Sequence, residues 1–141
     1  MNRLEKIAKR VVVGVDANIV ASEVTDEMER QVRYFLRNQA RAIGKVFGGT
    51  WVPGGRGISP IKHQGQDTII VSLTNLSLDD PNSLVVGFKL KYDYGMDTYD
   101  FTPFKIEDGR TVSGKTTSDF YVEDLGDVSK LEWIFKRELG R

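Results

Sequence analysis

Between residues 26 and 47 apolar and basic positions recur with the period of an α-helix. At 100° per residue, Met28, Val32, Phe35, Leu36, Ile43, Val46 and Phe47 gather on one side. Arg30, Arg33, Arg37, Arg41 and Lys45 occupy an arc of about 120° on the other. Tyr34 falls inside the basic arc, and Gln39 sits in the middle of the apolar side. Asp26, Glu27 and Glu29 follow Thr25, and a helix N-terminus favours negative charge, so Thr25 is the expected N-cap. Gly48-Gly49 is the expected stop. The pattern predicts one long amphipathic helix whose apolar face lies on a core.

Upstream, Leu4, Ile7 and Ala8 keep helical spacing, while the β-branched run VVVGVDANIVASEV fits a strand or a further helix equally well. Downstream, TWVPGGRGISPIKHQGQ (residues 50–66) holds two prolines and four glycines and reads as one long loop. The β-rich DTIIVSLTNL and the alternating LVVGFKLKYDY flank a DDPNS turn, which predicts an antiparallel hairpin. Weaker strand signals lie around DFTPFKI and DFYVED. A last helix is expected at 128–139, capped by Asp127 or Ser129 and closed by Gly140. These elements make an α+β fold, with an antiparallel β-sheet packed against one long amphipathic helix and a C-terminal helix. At 141 residues the chain is expected to form a single domain.

Charge changes the picture. Twenty basic and twenty acidic side chains cancel overall. They are unevenly placed, because no acid occurs between Glu29 and Asp67, where Arg30, Arg33, Arg37, Arg41, Lys45, Arg56 and Lys62 all fall. Complementary patches of this kind suit contact between copies of one chain, or between one face and a polyanion. The chain has no cysteine, which excludes disulfides, thiolate metal sites and a cysteine nucleophile. No apolar run approaches the roughly 18 residues of a membrane span. Charges interrupt MNRLEKIAKRVVVGV where a signal peptide needs an unbroken apolar segment, so cytoplasmic synthesis is the expectation.

The candidate chemistry is sparse. His63 is the sole histidine, a candidate general base or metal ligand but more simply an incidental loop residue. Without a second histidine or a cysteine, a zinc site would need carboxylates alone, which is unusual. Asp93, Asp97 and Asp100 form an acidic cluster that could hold a divalent cation through oxygen ligands. Without EF-hand spacing it reads rather as a solvated acidic loop or a docking surface for a basic partner. A nuclease core with an acid two residues before a strand lysine is absent, because Lys89 stands where Lys91 would need that acid. The glycines of GGTWVPGGRGISP match no phosphate-binding motif. Trp51 and Arg56 in that loop are candidates for base stacking or for insertion between subunits, and Trp51 packing back on the core is the alternative. No catalytic residue, metal or cofactor is expected.

One resemblance joins these elements. The long helix, the WVP loop, the strand VVGFKLKYDYGM and a final helix beginning FYVEDLGDVSKLEWIF resemble the tail-completion and head–tail joining proteins of tailed bacteriophages over residues 25–137. The resemblance implies a non-enzymatic, ring-forming homo-oligomer at a virion neck, in contact with other virion proteins. The residues themselves leave three readings open. The basic residues with Tyr34, Trp51 and Arg56 serve an assembly interface, or nucleic acid or a host partner, or a small anionic ligand.

Overall fold

The structure is a computed structural model that describes residues 17–55 and 57–140, with the backbone alone for 17–22. Among the described residues helix α1 (Ala17–Tyr34) and helix α2 (Leu36–Phe47) come first. They are followed by strands β1 (Trp51–Pro53), β2 (Ile61–His63), β3 (Thr68–Asn75), β4 (Leu84–Asp93) and β5 (Thr98–Glu107). Strands β6 (Arg110–Ser113) and β7 (Thr117–Phe120), a 3₁₀ turn (Val122–Gly126) and helix α3 (Val128–Leu139) complete the chain. The class is α+β, as expected, and no described helix is long and apolar enough to cross a membrane.

All strand pairings are antiparallel. β3, β4 and β5 form the centre, with Val71 opposite Phe88 and Leu90 opposite Phe101. β1 and β2 both line up on the outer side of β3, and β6 and β7 both on the outer side of β5. Each sheet edge is therefore one strand broken in two. Ile69, Val71, Leu73, Val86, Phe88, Leu90 and Phe101 are fully buried on the side that the helices cover. Phe101 is the hub, 4.8 Å from Phe88, 4.5 Å from Phe120 and 5.9 Å from Phe135 between ring centroids. Burial of rings this large is the main drive for packing α3 on β5.

The expected single helix is two helices, and it starts earlier than Thr25. Val24, Met28 and Val32 continue one apolar stripe at a spacing of four, all with no exposed surface. Thr25 is an interior, buried residue rather than a cap. The helix breaks at Phe35 (φ −102°, ψ 11°), where Phe35 N donates to Val32 O in a tightened turn. The buried Gln39 explains the break. Its Nε2 reaches Val32 O and Leu125 O, both at 3.4 Å, so a side chain enters the helical ladder. Gln39 Oε1 has no hydrogen-bond partner among the described residues. Asn38 adds a 2.7 Å bond to Gly126 O, which ties α2 to the 3₁₀ turn. Because of the break, Phe35, Leu36 and Phe47 are only half-buried, against an expectation of largely buried side chains.

The segment 50–66 is not one loop. β1 and β2 both pair with β3, separated by the stretch between Pro53 and Ile61. Asp127 caps α3 by accepting from Lys130 N at 3.1 Å. The expected helix over residues 2–10 and the residue Arg56 lie outside the described residues.

Candidate functional site

The basic residues separate into two groups. Arg30 pairs with Glu27 at 2.6 Å and Arg33 with Glu29 at 3.2 Å, both along α1. Asp26, Glu27 and Glu29, read as helix-start charges, lie in mid-helix, and the latter two serve these ion pairs. His63 on β2 completes the group, its Nε2 3.0 Å from Glu29 Oε1, and ties the sheet edge to α1. Burial alone would raise the Glu29 pKa, but hydrogen bonds and charge from Arg33 and His63 outweigh it and hold the carboxyl below its ordinary value.

Arg37, Arg41 and Lys45 stand at i, i+4 and i+8 on the exposed side of α2. None of the three meets a carboxylate within ion-pair distance among the described residues. With Gly44 and Gly49–Trp51 they border an open cavity of about 420 Å³. The chain reaches its far wall through Gly48, whose positive φ of 76° lets it leave α2 sharply toward β1. Tyr34, 81% exposed, lies one turn before the row, its ring edge-on to Phe35 at 4.8 Å.

Trp51 does not project as a stacking or inserting group. Only 5% of it is exposed, its Nε1 donates to Gly48 O at 2.8 Å, and its ring lies 6.1 Å from Phe47. An indole with a satisfied N–H and an apolar neighbour is more stable inside, so Trp51 is a wall of the groove. Lys62 is also separate from the row. It lines a cavity on the sheet face away from the helices.

The acidic residues gather at the opposite end of the sheet. Asp93 Oδ1 accepts from Gly95 N at 2.9 Å and Met96 N at 3.3 Å, and closes the β4–β5 turn. Asp97, in the left-handed region at φ 52°, accepts from the Tyr92 hydroxyl. Asp93 and Asp97 therefore hold a turn as well as carrying charge. Asp100 pairs across the sheet with Lys91. Asp67 joins them, since Asp67, Asp93, Asp100 and Lys91 border one shallow cavity of about 340 Å³. The sequence signal for Asp67 was its place at the head of β3, two residues before Ile69, which pairs with Leu90. Among the described residues no three His, Asp or Glu side chains converge to hold a metal ion.

Nearby, the buried Tyr99 hydroxyl donates to Gln31 Oε1 at 2.6 Å. Burial, with charge from Asp97, Glu27 and Glu123, lifts its pKa far above the ordinary tyrosine range. This bond ties α1 to β5 under the acidic turn.

The ends are well separated. Trp51 pairs with Asn75 where β4 begins, and Asp93 ends β4 ten residues on, about 30 Å along an extended strand. Compared with known protein families, curated proteins and solved structures, the chain matches none.

Proposed function

We propose that the chain is a non-enzymatic assembly subunit that joins its neighbours head to tail through complementary charge. In its specific form the reading is a ring-forming subunit of the virion-neck kind that the sequence resembles. The observation that carries it is the row of Arg37, Arg41 and Lys45, three cations without a carboxylate partner among the described residues, set at the far end of the sheet from Asp67, Asp93, Asp97 and Asp100. Arg30, Arg33, Lys130 and Arg137 are each paired within the chain, so the unpaired row stands apart. Charge left unneutralised on a rigid helix steers association and fixes register more than it adds affinity. Opposite charge on two different surfaces generates rings or open chains rather than two-fold dimers.

The test is to reverse Arg37, Arg41 and Lys45 to Glu and to measure native mass at low and at physiological salt. The expected result is loss of oligomers with the fold intact, since all three side chains are exposed. Assembly should return when Asp67, Asp93 and Asp100 are changed to Lys in a mixed partner. A mass unchanged by the triple reversal overturns the reading. Tyr34, exposed beside the row, favours nucleic acid as the second reading. That reading is upheld instead if the reversal abolishes binding to a single-stranded oligonucleotide and leaves the mass alone.

A further inference from the structure

The sheet face turned away from the helices carries a groove of about 470 Å³, within the range of built binding sites. Its floor is Ile70, Val85, Phe104 and Ile106, one set of alternate positions across β3, β4 and β5. Val85 keeps only 2% of its surface although none of the described helices covers this side. Phe104 lies down across the floor because Gly87 leaves it room, a Cβ there coming within 2.9 Å of Phe104 Cζ. Lys62 and Lys89 stand exposed at the rim, with no carboxylate partner among the described residues.

The same chain displays a surface of opposite character. The turn between β3 and β4 exposes Leu76 at 54% and Leu78 at 37%, followed directly by Asp79 and Asp80. Asp79 makes no hydrogen bond or ion pair with a described residue, and Asp80 Oδ1 accepts only from Asn82 N, at 3.0 Å. Two leucines followed by two carboxylates match an apolar floor with two free lysines at its rim. The tip cannot serve its own groove. Leu76 N donates to Thr50 O at 2.8 Å, and Ser77 Oγ accepts from Thr50 N at 3.1 Å, which pins the tip to the β1 edge.

We infer that the Leu76–Asp80 tip of one copy seats in the sheet-face groove of the next. The occupant is a second copy of this chain. The leucines cover Phe104 and Ile106, and Asp79 and Asp80 meet Lys62 and Lys89. The tip leaves the sheet at the end where the basic row lies, so one head-to-tail contact can hold both. The inference deepens the assembly reading and rests on it, and charge swapping separates the two.

The experiment is sedimentation velocity of the full chain from about 10 µM to about 1 mM, the span of transient contacts. The wild type is expected to exceed 15.9 kDa and to grow with concentration. Leu76→Ser with Leu78→Ser should weaken association about tenfold or more, as for other central apolar anchors. Asp79→Lys with Asp80→Asn, and separately Lys62→Glu with Lys89→Glu, should each weaken it, and a mixture of those two variants should restore it. Among the described residues none of these side chains but Asp80's makes a hydrogen bond or ion pair, and Asn keeps the Asp80 acceptor, so thermal midpoints should stay in place. Association that survives the tip and groove changes but dissolves on reversal of Arg37, Arg41 and Lys45 overturns this contact and leaves the assembly reading standing. Recovery in the swapped mixture, with the Arg37, Arg41 and Lys45 reversal silent, upholds this contact and removes the basic row from the interface. A wild type that stays at 15.9 kDa throughout gives the groove to some other occupant and overturns the proposal.

Discussion

Replacing Gly87 with alanine tests the geometry of the sheet centre and the groove floor at once. In an ordinary strand the change is favourable by about 0.5–1 kcal/mol, because glycine loses more backbone freedom on folding. Here the new methyl would overlap the Val71 carbonyl oxygen by well over an ångström and press on Phe104 Cζ at 2.9 Å. Phe104 is half-buried over an open cavity and can turn aside cheaply. Val71 cannot. It is fully buried in β3, held by β2 on one side through Ile61 and by β4 on the other through Phe88. Relief must come from parting β3 and β4, which costs about 1–3 kcal/mol in overpacking and about 1 kcal/mol for each weakened ladder bond. The net expectation is destabilisation of about 2–4 kcal/mol once the entropic gain is subtracted. Urea unfolding should show it as a lower midpoint with an unchanged slope. In a thermal melt it should be a fall of roughly 5–15 °C for a chain of this size. Hydrogen exchange should quicken first at residues 71–73 and 86–88. A Gly87→Ala protein as stable as the wild type, or more so, would refute the close approach of β3 and β4.

Other consequences are open to simpler assays. Phe101→Ala removes the hub of four rings and should cost about 3–5 kcal/mol in equilibrium unfolding, and a loss below about 1 kcal/mol would mean the rings do not pack as described. The Glu29 carboxyl is held below its ordinary pKa, so its contribution to stability is present above about pH 4.5 and lost as pH falls through the lowered value. Glu29→Gln should therefore flatten the acid limb of the stability curve, and an unchanged limb rejects the Arg33–Glu29–His63 linkage. Tyr99→Phe leaves the Gln31 acceptor unpaired and should cost about 1–3 kcal/mol. Wild-type Tyr99 should also stay un-ionised in an alkaline absorbance titration until the chain unfolds. Acrylamide should quench Trp133, 59% exposed, and spare Trp51 at 5%, so Trp133→Phe should leave a shielded emission.

The parts of the fold legible in the sequence are those where one element carries its own pattern. β3, β4 and α3 fall within a residue or two of their expected spans because alternation, turn residues and the Asp127 cap are local signals. β1 and β2 escaped because three-residue strands have no period to read, and β3 alone decides that they pair. The break at Phe35 escaped for a similar reason. Gln39 looked like a polar intruder on an apolar face, and its role depends on Leu125, 86 residues away. At the site, the spacing of Arg37, Arg41 and Lys45 was readable, but the neutralisation of Arg30 and Arg33 was not separable from it. Trp51 packing on the core is one of two readings that the sequence leaves open, because its hydrogen-bond acceptor is a backbone carbonyl. The sheet-face groove was unreadable for a different reason. Ile70, Val85, Phe104 and Ile106 look like core positions, and only the placing of the three described helices on the other side turns them toward a groove.

The broken sheet edges carry a last consequence, for aggregation. A long, straight outer strand offers a row of unpaired N–H and C=O groups on which a foreign strand can template. Here β1 and β2 give only three residues each, and β6 and β7 give four each, with a register shift within the β5–β7 pairing. Pro53 removes a further donor, and the side chains of Lys62 and of all four β6 residues are exposed, Arg110 among them. A chain shaped this way resists indiscriminate strand addition and amyloid-like stacking even when crowded. Whatever it joins, it must join through side chains and faces, where partner choice is specific, rather than through its backbone, where it is not.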